Sequence, residues 1–327
     1  MAHTLESLAD DIRRMGIRRG DVLMVHSSLK SIGWVEGGAD TVIDAFLSVI
    51  GVPKRGEGAP HPDGSGLKAP RWGTPDGVMF VPTLTATFAA SPWTNLNKHA
   101  FDPKETPSRV GKITDVFWRR PEAYRSEHPT HSLAAIGRSA RELVKGHGGD
   151  ASTFDKHGPY GKYVRLGAKV CFIGTSLRCN TTLHVTEDWA GLPYMDQNSK
   201  ALVKQGGKEI VVPLRNSPNG HRSFYASDDE SPAAKLFYGL GLVTEAKLGD
   251  ARVQLIAAQD IVNTMMRTFH DGEPGFLLCK SRDCEFCRKG REACERELPR
   301  IRRTVEQLAA DGWCRIQEAT GEARVSC

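Results

Sequence analysis

Residues 21–33 read DVLMVHSSLKSIG, and this stretch decides how the chain folds. Its first half, Asp21 to Val25, is a short apolar run of the kind found in buried β-strands. After the polar half of the stretch, apolar residues recur at helical spacing between Ala39 and Ile50. A strand, a polar loop and a helix in this order predict the opening unit of an α/β fold.

Further helices and strands are predicted on both sides of this unit. Helices are expected at residues 4–15, behind an N-cap at Thr4, and from about residue 111 to 118. The short apolar runs that predict strands are residues 78–81, 133–136, 169–173 and 209–214. No internal repeat or clear linker divides the sequence. We therefore expect one large α/β domain spanning residues 1–327.

Two segments depart from this pattern. Residues 51–77 contain seven Gly and five Pro, a composition that cannot form a core, so we expect an exposed, flexible insertion there. Residues 271–327 are expected to form a basic, Cys-rich C-terminal extension.

Composition and charge place the chain among ordinary globular proteins. It has 327 residues, of which 39% are hydrophobic and 25% charged, and a net charge of +5. Residues 279–303 alone hold nine Lys/Arg and five Asp/Glu, an excess of four positive charges. Because most of the net charge lies in this one segment, the charge of the whole chain does not indicate a nucleic-acid partner. No signal peptide and no apolar run of roughly 18 residues is visible, which predicts a cytoplasmic protein without a membrane span.

The segment richest in potential chemistry is residues 174–187, GTSLRCNTTLHVTE. A strand ends before it, and its Asn and Thr residues favour a helix start. His184 and Glu187 then lie three residues apart on one helix face. Unpaired N–H groups at a helix start disfavour a charged imidazole, and a neutral imidazole beside a carboxylate suits a general base. The same spacing also fits a capped, partly buried helix start without catalytic work.

Short motifs in a fixed order resemble the aminoglycoside 3-N-acetyltransferase family, also called antibiotic N-acetyltransferases. They are HSSL at 26–29, GG at 37–38, FDP at 101–103, TPS at 106–108, SEHP at 126–129, SLAAIG at 132–137 and TLHVTE at 182–187. The resemblance covers roughly residues 4 to 270. It implies a single α/β domain whose central mixed sheet is flanked by helices. It also implies transfer of acetyl from acetyl-coenzyme A to the 3-amino group of an aminoglycoside.

The resemblance also implies which residues form the site. In that family the His-x-x-Glu pair is catalytic, which corresponds to His184 and Glu187. Coenzyme A is contacted by the loop after the first strand and by the His-Pro segment, which correspond to Ser28, Leu29, Lys30, Val35, Ser126 and His128.

Elementary chemistry is compatible with these roles. A glycine-bearing loop that leads to a helix N-terminus offers N–H groups to a pyrophosphate, and Lys30 adds a positive charge. An ordinary strand-to-helix connection has a similar composition. His128 precedes Pro129, which favours an extended backbone, and it also fits a hydrogen-bonded structural histidine.

The implied reaction is a direct attack of an amine on the thioester. His184 removes a proton from the ammonium, and Glu187 orients the imidazole. Backbone N–H groups or Ser/Thr hydroxyls are the candidate donors to the oxyanion. The alternative route is a covalent acetyl-enzyme on Cys179, a thiol just before a helix start.

The identity of the amine is open at this stage. Residues 82–88, PTLTATF, lack the acidic residue expected there in several antibiotic-modifying members. Aminoglycosides are polycations, so their site is expected to be acidic, and the available carboxylates are Asp102, Glu187, Asp188 and Asp196. A smaller biosynthetic amine is the alternative substrate.

Four cysteines in the C-terminal extension suggest a metal site. Cys279, Cys284, Cys287 and Cys294 would supply four thiolates for a structural, tetrahedral zinc, and four reduced surface cysteines are the alternative. The basic surroundings also suggest a zinc-knuckle-like binding protein. Phe286 is the only aromatic residue between Cys279 and Arg303, which argues against nucleic acid. The sequence indicates no oligomeric state.

Other enzyme classes lack their motifs. The sequence contains no Gly-x-Ser-x-Gly elbow, no Gly-x4-Gly-Lys-Ser/Thr loop and no Gly-x-Gly-x2-Gly loop. These absences disfavour a serine hydrolase, a P-loop nucleotide hydrolase and a dinucleotide oxidoreductase.

Overall fold

A computed structural model describes residues 2–53, 76–85, 100–148, 152–195, 199–216, 220–228 and 230–316. The strands in this part are β1 (Val22–Ser27), β2 (Val78–Pro82), β3 (Tyr124–Arg125), β4 (Leu133–Gly137), β5 (Lys169–Ile173), β6 (Ser199–Gln205), β7 (Lys208–Leu214), β8 (Thr244–Leu248) and β9 (Ala251–Ala257). The α-helices are α1 (Leu5–Arg14), α2 (Gly38–Ile50), α3 (Lys112–Arg119), α4 (Ala140–Leu143), α5 (Pro159–Arg165), α6 (Thr182–Trp189), α7 (Pro232–Gly239), α8 (Ala258–His270), α9 (Glu285–Arg296) and α10 (Leu298–Ala310). None of these helices is long and apolar enough to cross a membrane. The flexible insertion predicted at 51–77 lies outside the described residues except at its ends, 51–53 and 76–77.

The predicted central mixed sheet is confirmed. Its seven strands follow the order β3-β4-β2-β1-β5-β9-β8. The three central strands, β2, β1 and β5, are parallel, and the strands towards both edges are antiparallel. The strand predicted at 209–214 exists as β7, but it pairs only with β6 in a separate hairpin.

Helices cover both faces of the sheet. On β5, Val170 and Phe172 point to one core, whereas Cys171 and Ile173 point to the other. The second core is closed by α1, α2 and α3, and the first by α5, α6, α8 and the C-terminal helices. The structure is therefore a helix–sheet–helix sandwich, as a largely buried parallel centre requires.

The C-terminal helices belong to the first core. Ile301 and Val305 on α10 are fully buried, and α10 packs on α8 and α9. Burial of each such side chain contributes roughly 1.5–3 kcal/mol. The residues of the predicted extension that the structure describes therefore help to close the core.

Local sequence explains where α1 begins. The side chain of Thr4 accepts a hydrogen bond from the backbone N–H of Ser7, and the Ser7 side chain accepts one from the backbone N–H of Thr4. Leu8 and Ile12, one helical turn apart, are fully buried. The helix predicted at this position is confirmed.

The loops after β1 and β5 approach each other closely. Gly174, which ends β5, has φ of +59°, and a Cβ on it would lie 2.1 Å from the Cβ of Ser31. The Ser31 hydroxyl donates to the Gly174 carbonyl at 3.1 Å, and the Ser28 N–H donates to the Ile173 carbonyl at 2.8 Å. The carboxyl ends of these strands are the usual place for a ligand site in an α/β sheet.

Candidate active site

A cavity of about 460 Å³ opens at the carboxyl ends of β1, β2 and β5. The loop after β5 forms one wall, which contains Gly174, Thr175, Arg178, Cys179, Asn180 and Thr181. The remaining lining residues come from several separate segments and are His26, Ser27, Ser28, Pro82, Leu84, Val110, His131, His184, Phe224 and Tyr225.

The structure brings His184 and Glu187 together at the start of α6. Just before this helix, the side-chain oxygen of Asn180 accepts the N–H of Thr182, the first helical residue, at 3.1 Å. The Nδ1 atom of His184 lies 2.6 Å from Oε2 of Glu187. The imidazole is 6% exposed, and its exposed part lines the cavity. The predicted pair therefore has the contact that a base and its orienting carboxylate require, while its catalytic role stays a prediction.

Glu187 is tied to a cation that sequence reasoning did not identify. Its Oε1 atom accepts the Nε–H of Arg222 at 2.6 Å, and both side chains are fully buried. Burial raises the pKa of the Glu187 carboxyl, but the charge of Arg222 and the hydrogen bonds from Arg222 and His184 outweigh burial and hold this pKa below its usual value. Glu187 is therefore a carboxylate at neutral pH.

The ionised carboxylate fixes the tautomer of His184. A carboxylate can only accept hydrogen bonds, so we assign the imidazole proton to Nδ1 and leave Nε2 as the acceptor. The Tyr225 hydroxyl lies 3.0 Å from this Nε2. Burial raises the pKa of Tyr225 to about 12, so its hydroxyl is protonated and donates to Nε2. A hydrogen-bonded chain thus runs from Arg222 through Glu187 and His184 to Tyr225 at the cavity.

Replacing Tyr225 by phenylalanine tests what this hydroxyl contributes. An incoming amine has to displace the Tyr225 hydroxyl from Nε2 of His184. We therefore expect the Tyr225→Phe variant to retain kcat within about tenfold, which is a smaller loss than removal of a general base typically causes. Steady-state kinetics with the best available amine would measure this. A loss as large as that of a variant without His184 would instead place the phenol in the proton transfer.

The residues predicted to contact coenzyme A from the first loop lie in different surroundings. Ser28 lines the cavity. Leu29 and Lys30 lie on a 3-10 turn, Leu29–Ile32, and Lys30 is exposed outside the lining. Val35 is 6% exposed and packs in the core with residues of α1 and α2, outside the described lining of the cavity, and its contact with coenzyme A stays a prediction.

Ser126 and His128 are not among the described residues that line the cavity, and their contacts with coenzyme A stay predictions. The Ser126 hydroxyl lies 2.8 Å from Nδ1 of His147 and accepts the Leu133 N–H at 2.9 Å. Nδ1 of His128 accepts the N–H of His131 at 3.0 Å, and its ring stacks on His147. Both residues are only 1% exposed, so they build a buried polar layer, and His131 is the member of this layer that reaches the cavity.

The buried histidines make stability depend on pH. Burial lowers the pKa of His26 and of His147 to about 4, and that of His131 to about 3. The unfolded chain takes up these protons below about pH 6.5, whereas the folded chain does not. The free energy of unfolding is therefore unaffected by the protonation of these histidines above about pH 6.5. It decreases as the pH falls from there towards the pKa values of the histidines in the folded chain.

Urea unfolding between pH 7.5 and 5 measures this dependence. We expect the free energy of unfolding to fall with pH, by about 2 kcal/mol from His26 alone at pH 5. The variant His26→Phe, which keeps the ring stacked on Phe172, is the control and should show a shallower slope. Stability that rises on acidification would contradict neutral, buried imidazoles.

The carboxylates considered for a polycationic substrate do not converge on the cavity. Asp102 lies near Lys204, and Asp188 accepts a hydrogen bond from Asn216 at 2.6 Å. Glu187 is occupied by His184 and Arg222, and Asp196 lies outside the described residues. Among the described lining residues, none is acidic and Arg178 is a cation.

A second cluster of reactive side chains includes His221, the residue before Arg222. Arg222 is the partner of the pair formed by His184 and Glu187, called the dyad below. Ligand atoms of His221, Cys279, Cys284 and Cys287 all lie within 4.8 Å of one another. Cys294 is a correction to the predicted four-cysteine set, because it is fully buried in the first core and its thiol lies near the Pro274 carbonyl. His221 is the fourth member of the group that the structure brings together.

The cavity wall also contains the thiol considered for a covalent route. The thiol of Cys179 is exposed and lies 3.0 Å from the Thr175 hydroxyl. Among the described residues, the hydrogen bonds of His184 run to Glu187 and Tyr225 rather than to Cys179. The imidazole of His184 therefore makes no described hydrogen bond to this thiol.

Comparison with known proteins gives a consistent result along most of the chain. A model of the family described as aminoglycoside 3-N-acetyltransferase matches residues 24–53 and 71–270. Aminoglycoside N(3)-acetyltransferase III of Acinetobacter baumannii is 31% identical over 274 residues, which cover 80% of this chain and 89% of that protein.

Solved structures share the fold. Aminoglycoside acetyltransferase AAC(3)-IVa, crystallised as a mutant in complex with a gentamicin, has a TM-score of 0.69 at 24% identity and covers 90% of this chain and 98% of that one. AAC-IIIb in a binary complex with CoASH has a TM-score of 0.65 at 21% identity, with coverage of 81% and 95%.

Proposed function

Because the chain belongs to the aminoglycoside 3-N-acetyltransferase family, an acyltransferase family, we propose that it transfers acetyl from acetyl-coenzyme A to the 3-amino group of an aminoglycoside, with His184 as the general base. The observation that carries this proposal is the buried chain Arg222–Glu187–His184, whose imidazole Nε2 lies beside Tyr225 in the lining of the cavity. Coenzyme A in a neighbour of the same fold supports the choice of co-substrate.

The proposed reaction is a direct transfer. The amine replaces the Tyr225 hydroxyl at Nε2 of His184, which takes one amine proton as the nitrogen attacks the thioester carbonyl carbon. The carbon–sulfur bond then breaks, and the coenzyme A thiolate takes the proton from Nε2. Glu187 stabilises the imidazolium in between, and Arg222 keeps Glu187 ionised. No protein atom is acetylated, so Cys179 is not required.

Two acceptor classes are supported by different observations. The named relatives and the gentamicin complex favour an aminoglycoside. The described cavity lining, which has Arg178 and no carboxylate, favours a smaller amine that carries an anionic group. Arg178 would pair with that group while the amine faces His184.

One assay separates these two substrates. The purified chain is mixed with acetyl-coenzyme A and either kanamycin- or gentamicin-like amines or a set of amino acids and amino-phosphonates, and release of free thiol is followed. Turnover with the aminoglycosides supports an aminoglycoside as the acceptor, provided that NMR of the product shows the acetyl group on the 3-amino group. Turnover only with the small anionic amines supports the second. No thiol release with either set would contradict acetyl transfer to amines.

A further inference from the structure

We propose that His221, Cys279, Cys284 and Cys287 bind one structural Zn²⁺ that positions the catalytic dyad. Tetrahedral zinc with bonds of roughly 2.3 Å to sulfur and 2.0 Å to nitrogen separates its sulfur and nitrogen ligands by about 3.6 Å. Nδ1 of His221 lies 3.5 Å from the Cys287 sulfur and 3.9 Å from the Cys284 sulfur. Both separations are close to the nitrogen–sulfur distance of such a site, and all four ligand atoms lie within 4.8 Å of one another.

The ligand set fits zinc and a structural role. Three thiolates and one imidazole complete a four-coordinate site and leave no open position for a substrate or water. Three of the four ligands are at least partly exposed, so the ion can enter, whereas Cys287 is buried. Arg291, in the middle of α9, donates to the carbonyl of Cys279 and so ties this ligand to the helix.

The site joins two segments that are far apart in sequence. His221 belongs to the loop before α7, and the cysteines lie in and before α9. Phe286, between two of the ligands, has the guanidinium of Arg222 over its ring at 5.3 Å. A Cβ on Gly220 would lie 2.5 Å from the Phe286 ring, which shows how closely the two segments pack. The ion therefore clamps residues 220–222 against α9.

The clamped loop carries the partners of the dyad. Arg222, next to the ligand His221, donates to the His221 carbonyl at 3.2 Å and to Glu187 at 2.6 Å. Tyr225, three residues further on, contacts His184. Loss of the ion frees the loop that holds Glu187 ionised, so the ligands are positioning residues that act through Arg222. This consequence for turnover rests on the proposed function, whereas the metal site itself does not.

Metal content tests the site without reference to activity. The full chain, produced without a His-tag and separated from free metal, should contain one zinc per chain by mass spectrometry of the metal. Substitution of cobalt should give the visible bands of a tetrahedral thiolate site. In Cys284→Ser and His221→Ala we expect zinc affinity to fall by about 10-fold or more, while Cys294→Ala, the matched control, keeps one zinc. A chain without zinc, or equal losses in all three variants, would overturn the proposal.

Kinetics test the positioning role. Chelation of the zinc in the unaltered chain should lower kcat about tenfold or more while KM for acetyl-coenzyme A stays within about twofold, and added zinc should restore kcat. His221→Cys, which keeps four ligands, should retain both zinc and turnover, which His221→Ala loses. Undiminished kcat in zinc-free protein would overturn the positioning role. If the zinc-loaded chain acetylates no amine, the proposed function fails while the metal result stands.

Discussion

The variant His184→Ala is expected to lower kcat by about 10²–10⁴-fold, the contribution typical of a positioned general base. The attacking amine has to lose a proton as its bond to the carbonyl carbon forms, and Nε2 of His184 is the dyad's acceptor for that proton at the cavity. Because none of the residues predicted to contact coenzyme A is altered, acetyl-coenzyme A should still bind. Thiol release measures the first expectation, and isothermal titration with coenzyme A measures the second.

A histidine outside the site provides the control for this experiment. His270 lies at the end of α8 near Asp271 and Glu306, and His270→Ala should keep the activity of the unaltered chain. If His184→Ala retains full turnover, the base has been assigned wrongly. If it loses coenzyme A binding to the same degree as turnover, the defect lies in the cavity rather than in proton transfer.

Replacing Arg222 by methionine is expected to cost about 3–5 kcal/mol of unfolding free energy, because it leaves the Glu187 carboxylate buried without its cation. Turnover should also fall, since burial then raises the pKa of Glu187 and a neutral carboxyl no longer orients or stabilises the imidazole. Urea unfolding and steady-state kinetics on the same preparation measure the two effects.

The pH dependence of this loss has a definite sign. In the unaltered chain the pKa of Glu187 is below its usual value. The ionised carboxylate therefore stabilises the folded chain above its usual pKa, and this stabilisation is lost as the pH falls through the pKa that Glu187 has in the folded chain. In Arg222→Met the same pKa is raised, so protonation relieves the defect. The difference in stability between the two proteins should therefore be largest at neutral pH and narrow on acidification.

A double variant separates charge from packing. Glu187→Gln combined with Arg222→Met removes both charges and should recover much of the stability lost by Arg222→Met, because no buried charge remains unpaired. Turnover should stay low, because the carboxylate is absent. A double variant that is less stable than Arg222→Met would mean that the loss comes from packing of Arg222 against Tyr194 and Phe286.

The elements that sequence predicted well are those with strong local signals. α1 has a cap and helical spacing, and β5 is an uninterrupted apolar run, so each is recognisable from its own residues. β9 and α8 were not predicted. Short apolar runs become strands by pairing with other strands in the central sheet. The residues of one run do not indicate which distant run it pairs with.

The candidate site was predicted only where its residues are neighbours in sequence. The spacing of His184 and Glu187 places them on one helix face, so their contact followed from local geometry. Arg222 and Tyr225 reach the same site from a loop with no motif. Their contacts form only when α6 and the loop before α7 pack together, so spacing alone could not reveal them.

The metal set shows how a local pattern can mislead. The Cys-x2-Cys spacing correctly places Cys284 and Cys287 together at the start of α9. Cys294 lies two turns further along the same helix, where a rise of 1.5 Å per residue separates it from Cys287 by about 10 Å. His221, the fourth member of the group that the structure brings together, is distant in sequence and carries no spacing signal.

The position of β1 at the centre of the sheet has a consequence during synthesis. Leu23 lies opposite Lys169, so this strand cannot complete its pairing until almost half of the chain has followed it out of the ribosome. Contacts between such distant residues cost loop entropy before they stabilise anything, which slows assembly. A strand with four consecutive apolar residues therefore stays unpaired in the nascent chain, and this protein is expected to need chaperones when it is overproduced.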